Sequence, residues 1–335
     1  MHTGKSYKLS EFLIWTRRSI FWLLLLATVP TVLYQVFDIK WFFIPWQVVG
    51  LLGTATAFIV GFRNVQTYNR TWEARQAWGT LMSASWSWST MCRDFIEDSR
   101  KSRELIYRHF AWLTVLRYEL RAYRRWETAN KSYNEEYKRF YTIPERETPI
   151  EEELLKYITK KELNHIFPKN NKALQLLSLQ SDALRNLNKE GVLDNFRFLG
   201  MHSVLREFSL HQEKSEKIKN FPFPRQYATI NSFLVKLFCI LLPFALLGEF
   251  NKLTADISGV LKGYIVWFVI PFSVLISWVY TSLDQVGEST ENPFEGSPND
   301  VPISQMTRLV EIDIREMLEE KDLPSPFPTQ NNIVL

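Results

Sequence analysis

The stretch Trp41-Phe-Phe-Ile-Pro-Trp-Gln-Val-Val-Gly-Leu-Leu-Gly-Thr-Ala-Thr-Ala-Phe-Ile-Val-Gly-Phe62 contains no charged residue. It runs directly into Arg63-Asn-Val-Gln-Thr-Tyr-Asn-Arg-Thr-Trp-Glu-Ala-Arg75. A bilayer core of about 30 Å takes about 20 apolar helical residues, so the stretch predicts a membrane-spanning helix. At the helical period Thr54, Phe58 and Phe62 fall in steps of four along one face. Gly50, Gly53, Ala57 and Gly61 lie on an overlapping, adjacent face, and small residues so spaced let helix backbones approach closely in lipid. A Thr/Phe/Phe stripe beside a small-residue flank marks a candidate wall of a narrow pore. The same stripe also fits a lipid-facing surface or a packed core.

Outward from this helix, the chain of 335 residues has room for one large membrane unit or two domains. It is 46% hydrophobic, yet its mean hydropathy is slightly negative at −0.15, which fits a protein that is part membrane and part cytoplasm. The net charge of +4 is spread over mixed acidic and basic helical stretches, with no basic block for nucleic acid. Cys92 and Cys239 suggest neither a disulfide framework nor a zinc site, and the five His show no ligand spacing. The simplest class is a membrane protein with its thiols on the reducing side.

Residues Met1 to Arg18 are polar and end in Arg17-Arg18, and Ser19 to Phe37 then follow without a charge. That run is too long for a signal peptide and predicts the first span. After the short link Asp38-Ile39-Lys40, Pro45 stands in the first turns of the second span, where a missing N–H costs least. The charged segment that follows predicts a helical continuation of the second span to Arg93 and an amphipathic helix over Glu104–Arg125. A polar loop is expected over Asn130–Thr148, then helices over Glu151–Thr159, Ala173–Asn188 and Val192–Gln212. Phe221-Pro-Phe-Pro224 forbids regular helix and forces a bend.

The run Gln226–Gly248 is charge-free except for Lys236 and predicts a third span. A lysine at the bilayer centre is costly, so Lys236 is expected near the inner interface or inside the bundle, with an ion-pathway charge as the functional alternative. Glu249–Lys262 reads as a polar loop and Gly263–Leu283 as the fourth span. An even number of spans and the Lys/Arg excess before the first and after the second put both termini in the cytoplasm. The glycosylation patterns Asn69-Arg-Thr71 and Asn130-Lys-Ser132 then fall on the inner side and are read as chance. After an acidic, turn-rich stretch to Asp300, a last amphipathic helix is expected over Ile303–Leu318, followed by an irregular tail from Pro324.

The expected organisation is therefore all-α. Residues 1–18 form a cytoplasmic N-terminal segment, 19–62 the first two membrane helices, and 63–225 a cytoplasmic helical domain. Residues 226–283 form the last two membrane helices, and 284–335 a cytoplasmic acidic turn, helix and tail. No Walker loop, HExxH, nucleophile elbow or Cys/His metal spacing is present, so no catalytic residue or enzyme class is named. The stretch Glu291–Asp300 carries Asn, Ser and Asp oxygens that suit a hard cation such as calcium. Its alternative reading is a turn opened by Asn292-Pro293, with Asp300 capping the last helix.

Taken together, several of these motifs resemble the bestrophin family of ion channels in its bacterial branch. They are Phe58-Ile-Val-Gly-Phe62 with Arg63-Asn64, Tyr68-Asn-Arg-Thr-Trp-Glu-Ala-Arg75, Trp78-Gly79 and Tyr107–Arg117. Glu216-Lys-Ile-Lys-Asn, Pro222-Phe-Pro-Arg-Gln-Tyr227 and Glu291-Asn-Pro-Phe294 leading to Asp300 complete the set. The resemblance covers nearly the whole chain and rests on the order and spacing of all the motifs.

The resemblance implies a homopentamer in the inner or plasma membrane with one axial pore that conducts passively. The family's hydrophobic neck falls on Thr54, Phe58 and Phe62, and its cytoplasmic constriction on Phe223 before Pro224. Thr54 departs from the bulkier apolar residue usual in the neck, and Glu213 and Ser215 stand where the family often has Gly and Cys. Asn292 and Asp300 match the calcium clasp of animal members, while Ser297 and Ser289 replace two of its oxygen donors. These departures count against calcium gating, so no cofactor is expected and calcium is the one candidate, and no partner is implied beyond further copies, monovalent ions and lipid. Chloride-type anions are favoured, a sodium or monovalent-cation channel being the alternative within this fold. A secondary transporter or a membrane-anchored helical scaffold are the alternatives from other classes.

Overall fold

The computed structural model describes residues 1–41, 43–128, 131–256 and 264–335. Among these the elements are α1 (Leu9–Gln35), α2 (Trp46–Phe95), α3 (Ser99–Arg121), α4 (Ser132–Tyr137), α5 (Pro144–Glu147), α6 (Ile150–Leu154), α7 (Lys160–Ile166), α8 (Lys172–Lys189), α9 (Asn195–Asn220), α10 (Arg225–Asp256), α11 (Val269–Ser289) and α12 (Ile303–Met317). No β-strand occurs among the described residues, only isolated bridges near the two termini. Among the described residues four segments are long and apolar enough to cross a membrane: Leu9–Gln35, Trp46–Phe95, Arg225–Thr254 and Ile265–Ser289.

The described chain divides into two compact units, and α2 contributes to both. The apolar unit comprises Lys5–Asn69 and Phe223–Glu291. In it α1, α10 and α11 pack on one another around Leu23, Phe238, Leu242, Leu247 and Val269, joined by Val49 and Val60 of α2. Lipid offers no hydrogen bonds, so polar groups in such helices turn inward or back onto their own backbone. Thr31, Thr54 and Thr56 accordingly donate to the carbonyls of Ala27, Gly50 and Leu52, four residues earlier. Trp278 Nε1 donates to Thr16 Oγ1 at 2.9 Å, tying α11 to α1.

The charged unit comprises Met1–Gly4, Arg70–Pro222 and Asn292–Leu335. Its central element is α3, expected to be amphipathic but buried at every residue from Phe110 to Arg117. A helix that carries arginines and is buried all round has to pair them. Arg108 Nε donates to Glu162 Oε1 at 2.8 Å, Arg117 Nε lies 3.1 Å from Glu145 Oε1, and Arg121 Nη1 donates to Asp300 Oδ2 at 3.2 Å. Around α3 the core gathers Trp78, Trp88, Phe110, Trp112 and Phe208. His109 stacks between Trp112 and Phe208, and burial pushes it down to about 3, so it stays neutral. Arg70 donates to the carbonyls of Ile218 and Phe221, closing the end of α9.

Several boundaries differ from expectation. The loop expected from Glu249 is helical through Asp256, and the rest of it, with Gly263 of the fourth span, lies outside the described residues, as does Asn130. Residues 284–289 continue α11 rather than forming a turn, because α-helical geometry is indifferent to the change from apolar to polar side chains. The polar stretch after Asn130 contains α4 and α5, and α7 is an added helix, opened by a Thr159–Glu162 capping box. The tail is docked rather than loose. Thr3 N donates to Asn332 O and Gln305 N to Leu335 O, both at 2.7 Å, and Ile333 and Leu335 pack with Tyr141 and Ile143.

Candidate pore-lining site

On α2 the buried face is Val49, Gly53, Thr56, Val60, Arg63 and Thr67, a helical stripe that seats the helix in its unit. Thr54, Phe58 and Phe62 occupy the other side and are exposed in the protomer. Phe58 is 78% exposed and Phe62 53%, and a hollow between their rings is floored by Ala57 and Gly61. Within the protomer Gly53 meets a neighbouring helix closely, and what it meets is a ring: a Cβ there would lie 2.7 Å from Phe238 Cε2. Tyr280 OH donates to Gly53 O at 3.1 Å, and Phe238 and Tyr280 lie ring against ring at 4.5 Å.

One residue past the stripe begins a buried ionic cluster that the sequence reading missed. Arg63 Nη1 donates to Asp284 Oδ1 at 2.6 Å, and Arg63 Nη2 donates to Glu291 Oε2 at 3.1 Å. Asn231 Nδ2 donates to the same Asp284 oxygen at 2.5 Å, and Arg225 Nη1 lies 3.3 Å from Glu291 Oε1. The available signal was that opposite charges close the second and fourth apolar runs: Arg63 follows one, and Asp284 the other.

The bend at Phe221–Pro224 separates α9 from α10 as expected. Phe223 is only 8% exposed, its ring edge-on to Tyr227 at 6.2 Å and 78°, whereas Phe221 is 72% exposed. Tyr227 also meets Phe62 at 5.8 Å, so three rings link the end of the stripe to the bend. Lys236 is on the exposed side of α10 with Phe233 and Ile240, not inside the bundle of this protomer.

Of the two candidate calcium residues, Asp300 is engaged internally. Asp300 accepts from Arg121, from Gly296 N at 2.7 Å and from Ser297 Oγ at 2.5 Å. It closes the Ser297–Asp300 turn instead of capping α12, whose preceding residue is Pro302. Asn292 is buried with its Nδ2 lacking a hydrogen-bond partner, and no group of three His, Cys, Asp or Glu that could hold a metal occurs among the described residues.

The family model described as bacterial/fungal bestrophin protein matches residues 14–316. The voltage-dependent anion channel-forming protein YneE of Escherichia coli K12 is 30% identical over 292 residues, covering 87% of this chain and 82% of that protein. A protein of Mesorhizobium japonicum, likewise named as voltage-dependent anion channel-forming, is 23% identical over 93% of this chain and 92% of its own. The crystal structure of a bacterial bestrophin homologue from Klebsiella pneumoniae superposes with a TM-score of 0.75 at 23% identity, covering 90% of this chain and 98% of that one. The fold is thus that of a multi-pass membrane protein, and the chain belongs to the bacterial/fungal bestrophin family.

Proposed function

We propose that the chain assembles as a homopentamer around one axial pore that passes monovalent anions of the chloride type. The observation that carries this reading is the exposed aromatic stripe, Phe58 at 78% and Phe62 at 53%, on a helix whose opposite face is packed. Five copies about an axis would stack Thr54, Phe58 and Phe62 into three rings, an apolar neck that gates by wetting and drying. The positive edges of the phenyl rings favour a passing anion. Anion conduction is supported by the names of the relatives in E. coli and M. japonicum.

In this reading residues 63–225 and 284–335 form the cytoplasmic part, and both termini face the cytoplasm of a cell-membrane protein. Phe223 is the second narrow point. With its ring against Tyr227 the bend is open, and turned toward the axis the ring closes it.

The test is the reversal potential of the purified protein in a planar bilayer under a sodium chloride gradient. Reversal near the chloride equilibrium potential is expected, and Phe58→Ala with Phe62→Ala should raise the open fraction. Reversal near the sodium potential moves the protein to a cation channel of the same fold. Absence of current from folded protein, wild type and double variant alike, sinks the channel reading.

A further inference from the structure

We propose that Arg17, Arg18, Phe21 and Trp22 of α1 form a clasp for the phosphate headgroup of an anionic phospholipid. The inference needs only a multi-pass membrane protein and does not rest on the channel reading. On α1 the four residues fall into two rows of step four, Arg17 with Phe21 and Arg18 with Trp22. All four are exposed, and together they line one open hollow on the helix surface. The opposite face of the helix carries Thr16, Leu23, Ala27 and Tyr34, which are buried, and α1 packs on α10 and α11. The hollow is thus turned away from the bundle, toward lipid.

Depth and charge name the occupant. The charge-free run begins at Ser19, so Arg17 and Arg18 stand at its edge, at the level of the headgroups. Toward the bilayer core the same face continues in steps of four from Phe21 to the exposed Leu25 and Val29, an apolar track for an acyl chain. A guanidinium presents five N–H donors in a planar fork that matches phosphate, so a contact within the protein still leaves donors for a lipid. Two cations lining one hollow repel each other, and a phosphate shared between them offsets both. The nearest carboxylate along the chain, Glu11, precedes Arg17 by more than a turn and accepts from Lys8 N at 3.1 Å. A zwitterionic headgroup would bring its own cation against the two arginines, whereas an anionic one would not.

The experiment is native mass spectrometry of the purified chain in detergent with added phosphatidylglycerol or phosphatidylcholine. Wild type should retain phosphatidylglycerol several-fold more than phosphatidylcholine. Arg17→Gln with Arg18→Gln should remove most of that preference, and Phe21→Ala with Trp22→Ala should lower retention of both lipids. Wild-type retention by the double Gln variant would leave the arginines a role in orienting the chain alone and overturns the inference. Inorganic phosphate should not displace the lipid, because it has no chain to lay along Leu25 and Val29, and displacement by it overturns the lipid assignment. If the variants do not insert, wild type decides through phosphatidylglycerol with a photo-cross-linker in its acyl chain. Cross-links should map to residues 21–29 and fade with excess unlabelled phosphatidylglycerol, and cross-links found only elsewhere overturn the inference.

Discussion

Arg63 and Asp284, 221 residues apart in the chain, are joined by a hydrogen-bonded ion pair of 2.6 Å in which the guanidinium side chain is only 4% exposed. The pair ties the end of the apolar part of α2 to α11, and Glu291 completes it from the other guanidinium nitrogen. Removing one member of a buried pair costs more than the pair itself contributes, because the remaining charge keeps its desolvation penalty.

Arg63→Met should therefore cost about 3–5 kcal/mol, with two carboxylates left sheltered against a single partially exposed Arg225. Adding Asp284→Asn and Glu291→Gln to Arg63→Met should restore part of the loss. Thermal unfolding in detergent reads both effects, and an Arg63→Met protein as stable as wild type contradicts this account.

Two glycine substitutions should act in opposite directions. Gly53→Ala drives a methyl against the Phe238 ring, which Tyr280 backs, so overpacking should cost about 1–3 kcal/mol. Gly200→Ala sits inside α9 with nothing within 4 Å of the added carbon, so it should stabilise by up to about 1 kcal/mol. Equal effects of the two on the unfolding midpoint would show that the Gly53 contact is not tight.

Glu119 on α3 gives the charged unit a defined pH response. Burial, reinforced by the neighbouring Glu216 carboxylate, pushes its carboxyl up from 4.5 to about 7. Between these values the folded chain holds a proton that the unfolded chain releases, so this group's contribution to stability is full below pH 4.5 and is lost as pH rises to about 7. Glu119→Gln, which mimics the protonated acid, should flatten that part of the profile of unfolding midpoint against pH. Superimposable wild-type and variant profiles would refute the assignment.

Calcium addition or chelation should leave the unfolding midpoint unchanged, because Asp300 is already held by Arg121, Gly296 N and Ser297 Oγ. A midpoint that rises with calcium would mean the ion displaces Arg121 from this carboxylate. Arg121→Gln should make such a response easier to obtain, since it removes the competing cation from the Asp300 carboxylate.

Local sequence determined a good deal of this protein. Runs of membrane length, charge-free but for Lys236 in the third, located the four candidate spans, and a spacing of four residues put Thr54, Phe58 and Phe62 on one exposed face. Two prolines one residue apart located the bend. Hydropathy, helical period and the missing N–H of proline act within a turn or two of chain, so they can be read without the fold.

Tertiary structure alone decided the rest. It buried the middle of α3 on all sides, which required Arg108, Arg117 and Arg121 to find Glu162, Glu145 and Asp300 far along the chain. It continued α10 to Asp256 and α11 to Ser289 past the charges expected to end them. It turned Phe223 inward against Tyr227 and left Arg225 partly exposed over sheltered carboxylates. The physical reason is common to all of these. Whether a charge is paired or a ring is covered depends on neighbours brought in by packing, and no window of the sequence contains those neighbours.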